Sequence, residues 1–140
     1  RGGDNMENLV ESYLKNAGVE YYRQMKIGTI ETKWGLDLSA LSNGGTTEKR
    51  FDFVVKTEST VFAIETNFYT SQGSKLNETA RSYKMLAEEA KRVPNFEFVW
   101  FTDGTGWNPA RNNLQETFDV MEHLYSIADM EDGIMNKIFR

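Results

Sequence analysis

Residues Arg50 to Tyr69 read RFDFVVKTESTVFAIETNFY, and this stretch decides the fold of the chain. Two runs rich in Phe, Val, Ile and Thr lie on either side of a short polar segment, which predicts a β-hairpin. Each run also contains one carboxylate, Asp52 in the first and Glu65 in the second. A carboxylate among buried residues costs several kcal/mol by order of magnitude unless it is paired or hydrogen-bonded. The hairpin therefore predicts that both acids have a specific partner.

Strand alternation places Glu65 on one face together with Val61, Ala63, Asn67 and Tyr69, and neighbouring strands lie within about 5 Å of each other. Asp52 and Glu65 would then repel unless positive charge lies between them. A divalent cation such as Mg²⁺, which takes oxygen ligands, is one solution. The other is an internal salt bridge to a flanking base, for which the sequence offers Lys49, Arg50 and Lys56.

Composition limits the chemistry that the chain can perform. The 140 residues have no Cys and a single His, which excludes disulfides, thiol catalysis and Cys-ligated zinc and disfavours a Ser-His triad. The net charge of −5 argues against a passive nucleic-acid coat. We find neither a secretory signal nor an apolar run of the ~20 residues that a membrane span needs, so a soluble cytoplasmic protein is expected.

Hydrophobic periodicity predicts a single domain over residues 1–140 with α/β architecture and a mixed central sheet flanked by helices. Because the first residue is Arg1 rather than Met, we expect this domain to be part of a longer chain. Asp4 and Glu7 have the spacing of a capping box. The predicted elements, in order, are a helix over 4–16, one or two strands over 19–41, strands over 49–56 and 60–69, a helix over 74–93, a strand over 96–102, a helix that begins near Pro109 and includes His123, Tyr125 and Ala128, and a short helix within 131–140.

A longer motif carries a resemblance to a known family. Asp52 followed by Glu65-Thr66-Asn67 resembles the PD-(D/E)xK nuclease signature, with Asn67 at the position where Lys is usual. RFDFVVKTESTVFAIETNFYTSQGSKLNETARSYK over 50–84, together with FTDGTGW over 101–107, resembles the DpnII/MboI family of type II restriction endonucleases, whose substrate is duplex GATC. The likeness extends from Met6 to about Tyr125.

This resemblance implies a restriction-endonuclease-like fold and Mg²⁺-dependent hydrolysis of a DNA phosphodiester, with Mn²⁺ as a possible substitute. Asp52, Glu65 and the main-chain carbonyl of Thr66 would be the metal ligands. Glu7 is similar to the helix-borne acid that assists this site in many members of the superfamily. Taken alone, Glu7 also fits a helix cap or a solvated surface position.

Asn67 departs from the pattern, because an amide cannot supply the positive charge that stabilises the transition state. Lys75 is a candidate for that role, in a loop that could fold back over the metal, and its alternative role is an exposed phosphate contact. Gln72 is a candidate to orient the attacking water. Five residues form the expected DNA-binding set: Gln72, Lys75, Asn77, Arg81 and Lys84.

A palindromic target suggests a homodimer in which identical surfaces bind matching half-sites. The resemblance also implies a prokaryotic source and a cognate adenine methyltransferase in the same restriction-modification system, without physical association. Two alternatives remain open at this stage. One is a non-catalytic DNA-binding domain that retains the nuclease fold, and the other is an interaction domain whose acids are held in internal salt bridges.

Overall fold

The computed structural model describes residues 2–41, 49–70, 74–107 and 115–140, and in these ranges a five-stranded sheet lies between two layers of helices. The predicted α/β class with a mixed sheet is confirmed. The elements, in chain order, are α1 (Gly2–Ala17), β1 (Glu20–Lys26), α2 (Ile27–Trp34), β2 (Arg50–Lys56), β3 (Val61–Phe68), α3 (Ser74–Ala90), β4 (Phe96–Asp103), α4 (Gln115–Val120), β5 (Leu124–Tyr125), α5 (Ile127–Glu131) and α6 (Ile134–Ile138).

The strands lie side by side in the order β1-β2-β3-β4-β5. The pairs β1–β2 and β2–β3 are antiparallel, whereas the pairs β3–β4 and β4–β5 are parallel. The predicted hairpin is the β2–β3 pair, and the Thr57 amide closes its turn by donating to the carbonyl of Thr60 at 2.9 Å. The parallel pair β3–β4 follows from the crossover through α3, which returns the chain to the same end of the sheet.

Each face of the sheet has its own buried cluster. The α3 face, covered by α2 and α3, includes Ile30, Ala63, Leu76, Ala80 and Trp100. The α1 face, covered by α1, α5 and α6, includes Val10, Leu14, Phe62, Ile64 and Phe101. Alternate residues of β3 therefore enter opposite clusters, which confirms the predicted alternation and places Glu65 on the α3 face.

The prediction of one or two strands over 19–41 is wrong in its second half. Only β1 is extended, and the chain then forms α2, which buries Ile27 and Ile30. The i, i+3 spacing of these side chains lets one helical face pack on the sheet, so tertiary packing overrides the β propensity of Ile and Thr. Gly35 ends α2 in the left-handed conformation, with φ of 66°.

The prediction of one long helix from Pro109 through Ala128 is also wrong. Pro109 lies outside the described residues, α4 ends at Val120, and His123 is not helical. The sheet edge captures the following segment, because the Trp100 amide donates to the His123 carbonyl at 2.8 Å and β5 pairs with β4. Ser126 then begins α5 through a capping box.

The remaining predicted elements are present as α1, α3, β4 and α6. Trp107, at the end of the glycine-rich turn after β4, is buried against the sheet. That turn depends on Gly104, whose φ of 117° and contact with the Tyr69 backbone leave no space for a Cβ atom. Among the described residues, no helix has the length and apolar character that crossing a bilayer requires.

Candidate active site

The ladder between β2 and β3 stops one residue before the two predicted metal ligands. The last pair is Phe53 with Ile64, so the next residues in register are Asp52 and Glu65, which do not pair. Instead, the Thr66 amide and hydroxyl both donate to Asp52 Oδ2, at 2.9 and 3.1 Å. A carboxylate thus replaces the neighbouring strand as the partner of the Thr66 backbone, and the strands separate around the acids.

Strand alternation is interrupted at the same point. Phe51 and Val54 lie in the cluster of the α3 face, whereas Phe53 lies in the cluster of the α1 face. The pairing between β1 and β2 is interrupted as well. Arg23 pairs with Phe53 and Met25 pairs with Phe51, whereas Gln24 and Asp52 between them do not pair. Gln24 has φ of 50°, a left-handed conformation that is uncommon for a residue with a side chain. Two facing strands are therefore distorted beside Asp52.

Glu65 is only 5% exposed, and its carboxyl group lies close enough to that of Asp52 to share a hydrogen bond. Burial, followed by the charge of Asp52, raises the pKa of Glu65 to about 8, although Lys49 opposes the shift. In the metal-free protein these surroundings disfavour the ionised form of Glu65. Two converging carboxylates that cannot both ionise offer hard oxygen donors and a deficit of positive charge, which fits a divalent cation such as Mg²⁺.

Lys49 supplies part of that positive charge. Its Nζ atom lies 3.0 Å from Glu65 Oε2 and 5.2 Å from the centre of the Phe51 ring. The salt bridge that the sequence offered as an alternative to a metal is therefore present, with Lys49 as the base. One ammonium group does not balance Asp52 and Glu65 when both are ionised, so the contact with Lys49 and a bound cation are compatible.

Glu7 reaches the same region from α1. Its Oε2 accepts hydrogen bonds from Gln24 Nε2 at 2.9 Å and from Arg23 at 3.3 Å, and Gln24 Nε2 also lies 3.4 Å from Asp52 Oδ1. Because α1 begins at Gly2, the predicted capping box of Asp4 and Glu7 is wrong. The amide of Gln24 connects Glu7 to Asp52, a connection that no sequence motif indicated.

Asn67 is engaged in hydrogen bonds within the protein. Its Oδ1 accepts a hydrogen bond from the indole of Trp100, and its side chain shares another with the Tyr83 hydroxyl. Burial is the largest cause that raises the pKa of Tyr83 and keeps this hydroxyl neutral. The amide at the usual Lys position therefore braces β3 against β4 and α3.

The predicted DNA-binding residues lie mainly on α3. Lys75 and Arg81 are exposed, Lys84 and Asn77 are partly buried, and Gln72 lies outside the described residues. Oδ1 of Asn77 is buried and has no hydrogen-bond partner among the described residues. Among the described residues, the base that contacts Glu65 is Lys49, whereas the side chain of Lys75 is exposed to solvent.

A second group of potential ligands lies near the opposite end of β4. The ligand atoms of Glu97, Glu122 and His123 lie within 4.8 Å of one another beside a groove of about 450 Å³. His123 Nε2 pairs with Glu97, its Nδ1 is hydrogen-bonded to Tyr125 at 2.8 Å, and Lys91 lies 3.9 Å from Glu122. The protein's own groups therefore satisfy this cluster.

Residues 1–137 match the model of the DpnII restriction endonuclease family. The chain belongs to this family. Members of the DpnII family similar to the chain include the type II restriction enzyme DpnII of Streptococcus pneumoniae, which is 52% identical and aligned over 99% of this chain and 49% of its own length. The type II restriction enzyme MboI of Moraxella bovis is 42% identical, and the alignment covers 96% of this chain and 45% of MboI. The type II restriction enzyme MjaIII of Methanocaldococcus jannaschii is 36% identical, and the alignment covers 99% of this chain and 49% of MjaIII.

The chain thus spans about half the length of these DpnII family relatives. No solved structure matches the chain. The suspected family membership is confirmed.

Proposed function

We propose that the chain is the catalytic part of a Mg²⁺-dependent type II restriction endonuclease that hydrolyses a phosphodiester in each strand of duplex GATC. The observation that carries this proposal is the convergence of Asp52 and Glu65 where β2 and β3 separate. Family membership supports the reaction class, and the resemblance of the 50–84 motif supports the target sequence.

Asp52, Glu65 and the carbonyl of Thr66 would hold the cation, and Mn²⁺ would fit the same oxygen ligands. When bound, Mg²⁺ supplies positive charge that polarises a phosphoryl oxygen and makes a coordinated water more acidic. The protein's contribution is to fix the donors beforehand. The Thr66 amide and hydroxyl hold Asp52 Oδ2 in place, and burial keeps most of the Glu65 side chain out of contact with bulk water.

The non-catalytic alternative is favoured by one observation, which is that Asn67 is engaged with Trp100 and offers no charge. The decisive experiment incubates the full-length protein with unmethylated plasmid containing GATC and either Mg²⁺ or EDTA. We expect fragments that end at GATC with Mg²⁺ alone. Binding to the same DNA without any cutting would support the non-catalytic domain and contradict the nuclease.

Gln24 should affect catalysis more than stability. Gln24→Gly removes the amide that connects Glu7 to Asp52, and it also relieves a left-handed backbone strain of roughly 1 kcal/mol. We expect the free energy of unfolding to change by less than about 1 kcal/mol and the cleavage rate to fall roughly tenfold, a loss of about 1.4 kcal/mol in transition-state stabilisation. Denaturant unfolding and single-turnover cleavage measure the two quantities. A large stability loss with an unchanged rate would contradict this role.

Arg81 should contribute to DNA affinity rather than to chemistry. If its exposed guanidinium contacts a phosphate, Arg81→Ala should weaken binding and lower the slope of log Kd against log salt by about 1. Titrations of GATC duplex at several salt concentrations, with Ca²⁺ in place of Mg²⁺, measure this slope. Arg140→Ala, near the chain end on the α1 side, is the control. An unchanged slope for Arg81→Ala would remove it from the DNA-binding set.

The palindromic target further supports a proposed homodimer, with one chain for each half-site. Sedimentation of the full-length protein with a GATC duplex should give two chains per duplex. One chain per duplex at saturation would contradict this assembly.

A further inference from the structure

We propose that Lys49 is a catalytic residue and supplies the positive charge that the nuclease signature normally places at the position of Asn67. This inference rests on the proposed function, because it assigns a role within the same reaction. It differs from the sequence-based expectation, in which Lys75 carried that charge.

The geometry places the Lys49 ammonium beside the candidate metal ligands. Nζ lies 3.0 Å from Glu65 Oε2, whereas Glu65 itself is almost fully buried. The Lys49 side chain remains 24% exposed, so one side of the group contacts the buried carboxylate and the other faces solvent, from which DNA must approach. The ring of Phe51 lies 5.2 Å from Nζ and fixes the direction of the side chain.

The interruption at Asp52 brings Lys49 to this face. Counting back by twos from Val54 would put Arg50 on the α3 face. Because alternation breaks between Phe51 and Phe53, Lys49 lies there instead, and Arg50 points to the Gln24 carbonyl at 3.4 Å. The same distortion that aligns the acids therefore positions the base.

The position of Asn67 is unsuited to the role for a structural reason. Its amide hydrogen-bonds with Trp100 and Tyr83, which join β3 to β4 and α3. A Lys there would leave the buried indole donor without its acceptor, at a cost of about 1–3 kcal/mol. Lys49, just before the first residue of β2, provides a cation without this conflict.

During hydrolysis, the oxygen of water bonds to phosphorus and the bond from phosphorus to the leaving oxygen breaks. The water releases one proton to solvent, and the leaving oxygen takes one from solvent, which yields a phosphomonoester and a hydroxyl. Negative charge grows on the phosphoryl oxygens as the bonds change. Lys49 keeps its protons throughout and acts as a fixed charge that stabilises these oxygens.

The test compares steady-state cleavage of GATC plasmid by the full-length protein and three variants: Lys49→Met, Lys75→Met and Lys56→Met. Lys49→Met should lower kcat by roughly 10²–10³-fold with a KM within about threefold of wild type, as for the loss of one preorganised charge. Lys56→Met is the matched control, because its Nζ contacts the carbonyls of Thr57 and Glu58 at the other end of β2. It should cut at the wild-type rate.

Chemical rescue separates charge from packing. The 140 residues given contain no Cys, so Lys49→Cys introduces one thiol among them, which bromoethylamine converts to a lysine analogue and iodoacetamide converts to a neutral one. The wild-type protein treated in the same way is the control for any Cys elsewhere in the full-length protein. Restoration of at least tenfold in kcat by the cationic adduct alone would support the proposal. Equal rescue by both adducts, or none by either in a protein that melts normally, would overturn it.

The outcomes also distinguish this inference from the proposed function. If the wild-type protein cuts and Lys49→Met cuts equally well, the role of Lys49 is overturned and the nuclease stands. A large kcat loss in Lys75→Met with none in Lys49→Met would assign the charge to Lys75. If the wild-type protein does not cut GATC with Mg²⁺, the proposed function and the role of Lys49 are overturned together.

Discussion

Asp52→Asn and Glu65→Gln should each lower GATC cleavage at least ~10³-fold, because either change removes a charged ligand worth several kcal/mol of transition-state stabilisation. Both replacements keep the size and shape of the side chain. In Asp52→Asn, Thr66 can still donate to the remaining amide oxygen, so the local backbone should persist. Single-turnover cleavage with Mg²⁺ measures the loss, and circular dichroism establishes that the fold is retained.

Glu58→Gln is the matched control for this pair. Glu58 is an exposed acid in the turn of the same hairpin, so its replacement changes the net charge equally without touching the site. It should cut at the wild-type rate. Wild-type cutting by Asp52→Asn or Glu65→Gln would contradict the assignment of these acids as metal ligands.

The second large effect concerns stability, where Glu65→Gln should make the metal-free protein more stable at alkaline pH. The pKa of Glu65 rises from 4.5 to about 8 on folding, mainly because of burial. At about 1.4 kcal/mol per pKa unit, ionised Glu65 lowers the free energy of unfolding by several kcal/mol. A neutral amide avoids this penalty, so we expect Tm in EDTA at pH 9 to rise by roughly 5–10 °C.

The sign of this effect depends on pH in a defined way. Below pH 4.5 Glu65 is protonated in the folded and unfolded states, so wild type and variant should have similar stability. Between pH 4.5 and about 8 the unfolded chain ionises while the folded site keeps its proton, and the wild type loses stability as pH rises. A Tm difference that is constant from pH 4 to pH 9 would contradict a raised pKa.

Addition of Mg²⁺ should reverse this order. A ligand that binds only the folded state stabilises by mass action, so 10 mM Mg²⁺ should raise the wild-type Tm and leave that of Glu65→Gln nearly unchanged. The residue that destabilises the metal-free protein is then the one through which the metal stabilises it. Equal Tm increases in both proteins would place Mg²⁺ binding elsewhere.

Much of the fold follows from local patterns in the sequence. The alternation of Val61 to Phe68 predicted the face of Glu65, and helical spacing predicted a helix over 74–93, where α3 buries Leu76 and Ala80. These patterns report directly which side of an element meets the core. The same reasoning failed where neighbours decide the structure. The stretch that forms β5 is strand only because the edge of β4 is available to pair with it.

The site was only partly predictable for a related reason. Asp52 and Glu65 stood out because charged groups were unexpected among apolar neighbours. Gln24 gave no such signal, because its left-handed backbone depends on the strand that faces it. Lys49 was considered only as a salt-bridge partner, since regular alternation favours Arg50 on the face of Glu65. The sequence indicated the acids, and the three-dimensional distortion determined which base accompanies them.

The interruption at Asp52 also bears on how this family can be engineered. Regular pleating of β2 through Asp52, at unchanged length, would let its pairing with β3 extend further. It would also place Arg50 rather than Lys49 on the α3 face and close the gap around Thr66. We therefore expect a regular hairpin to lack cleavage activity. Substitutions that thermostabilise the protein by making its strands more regular should leave the interruption at Asp52 unchanged.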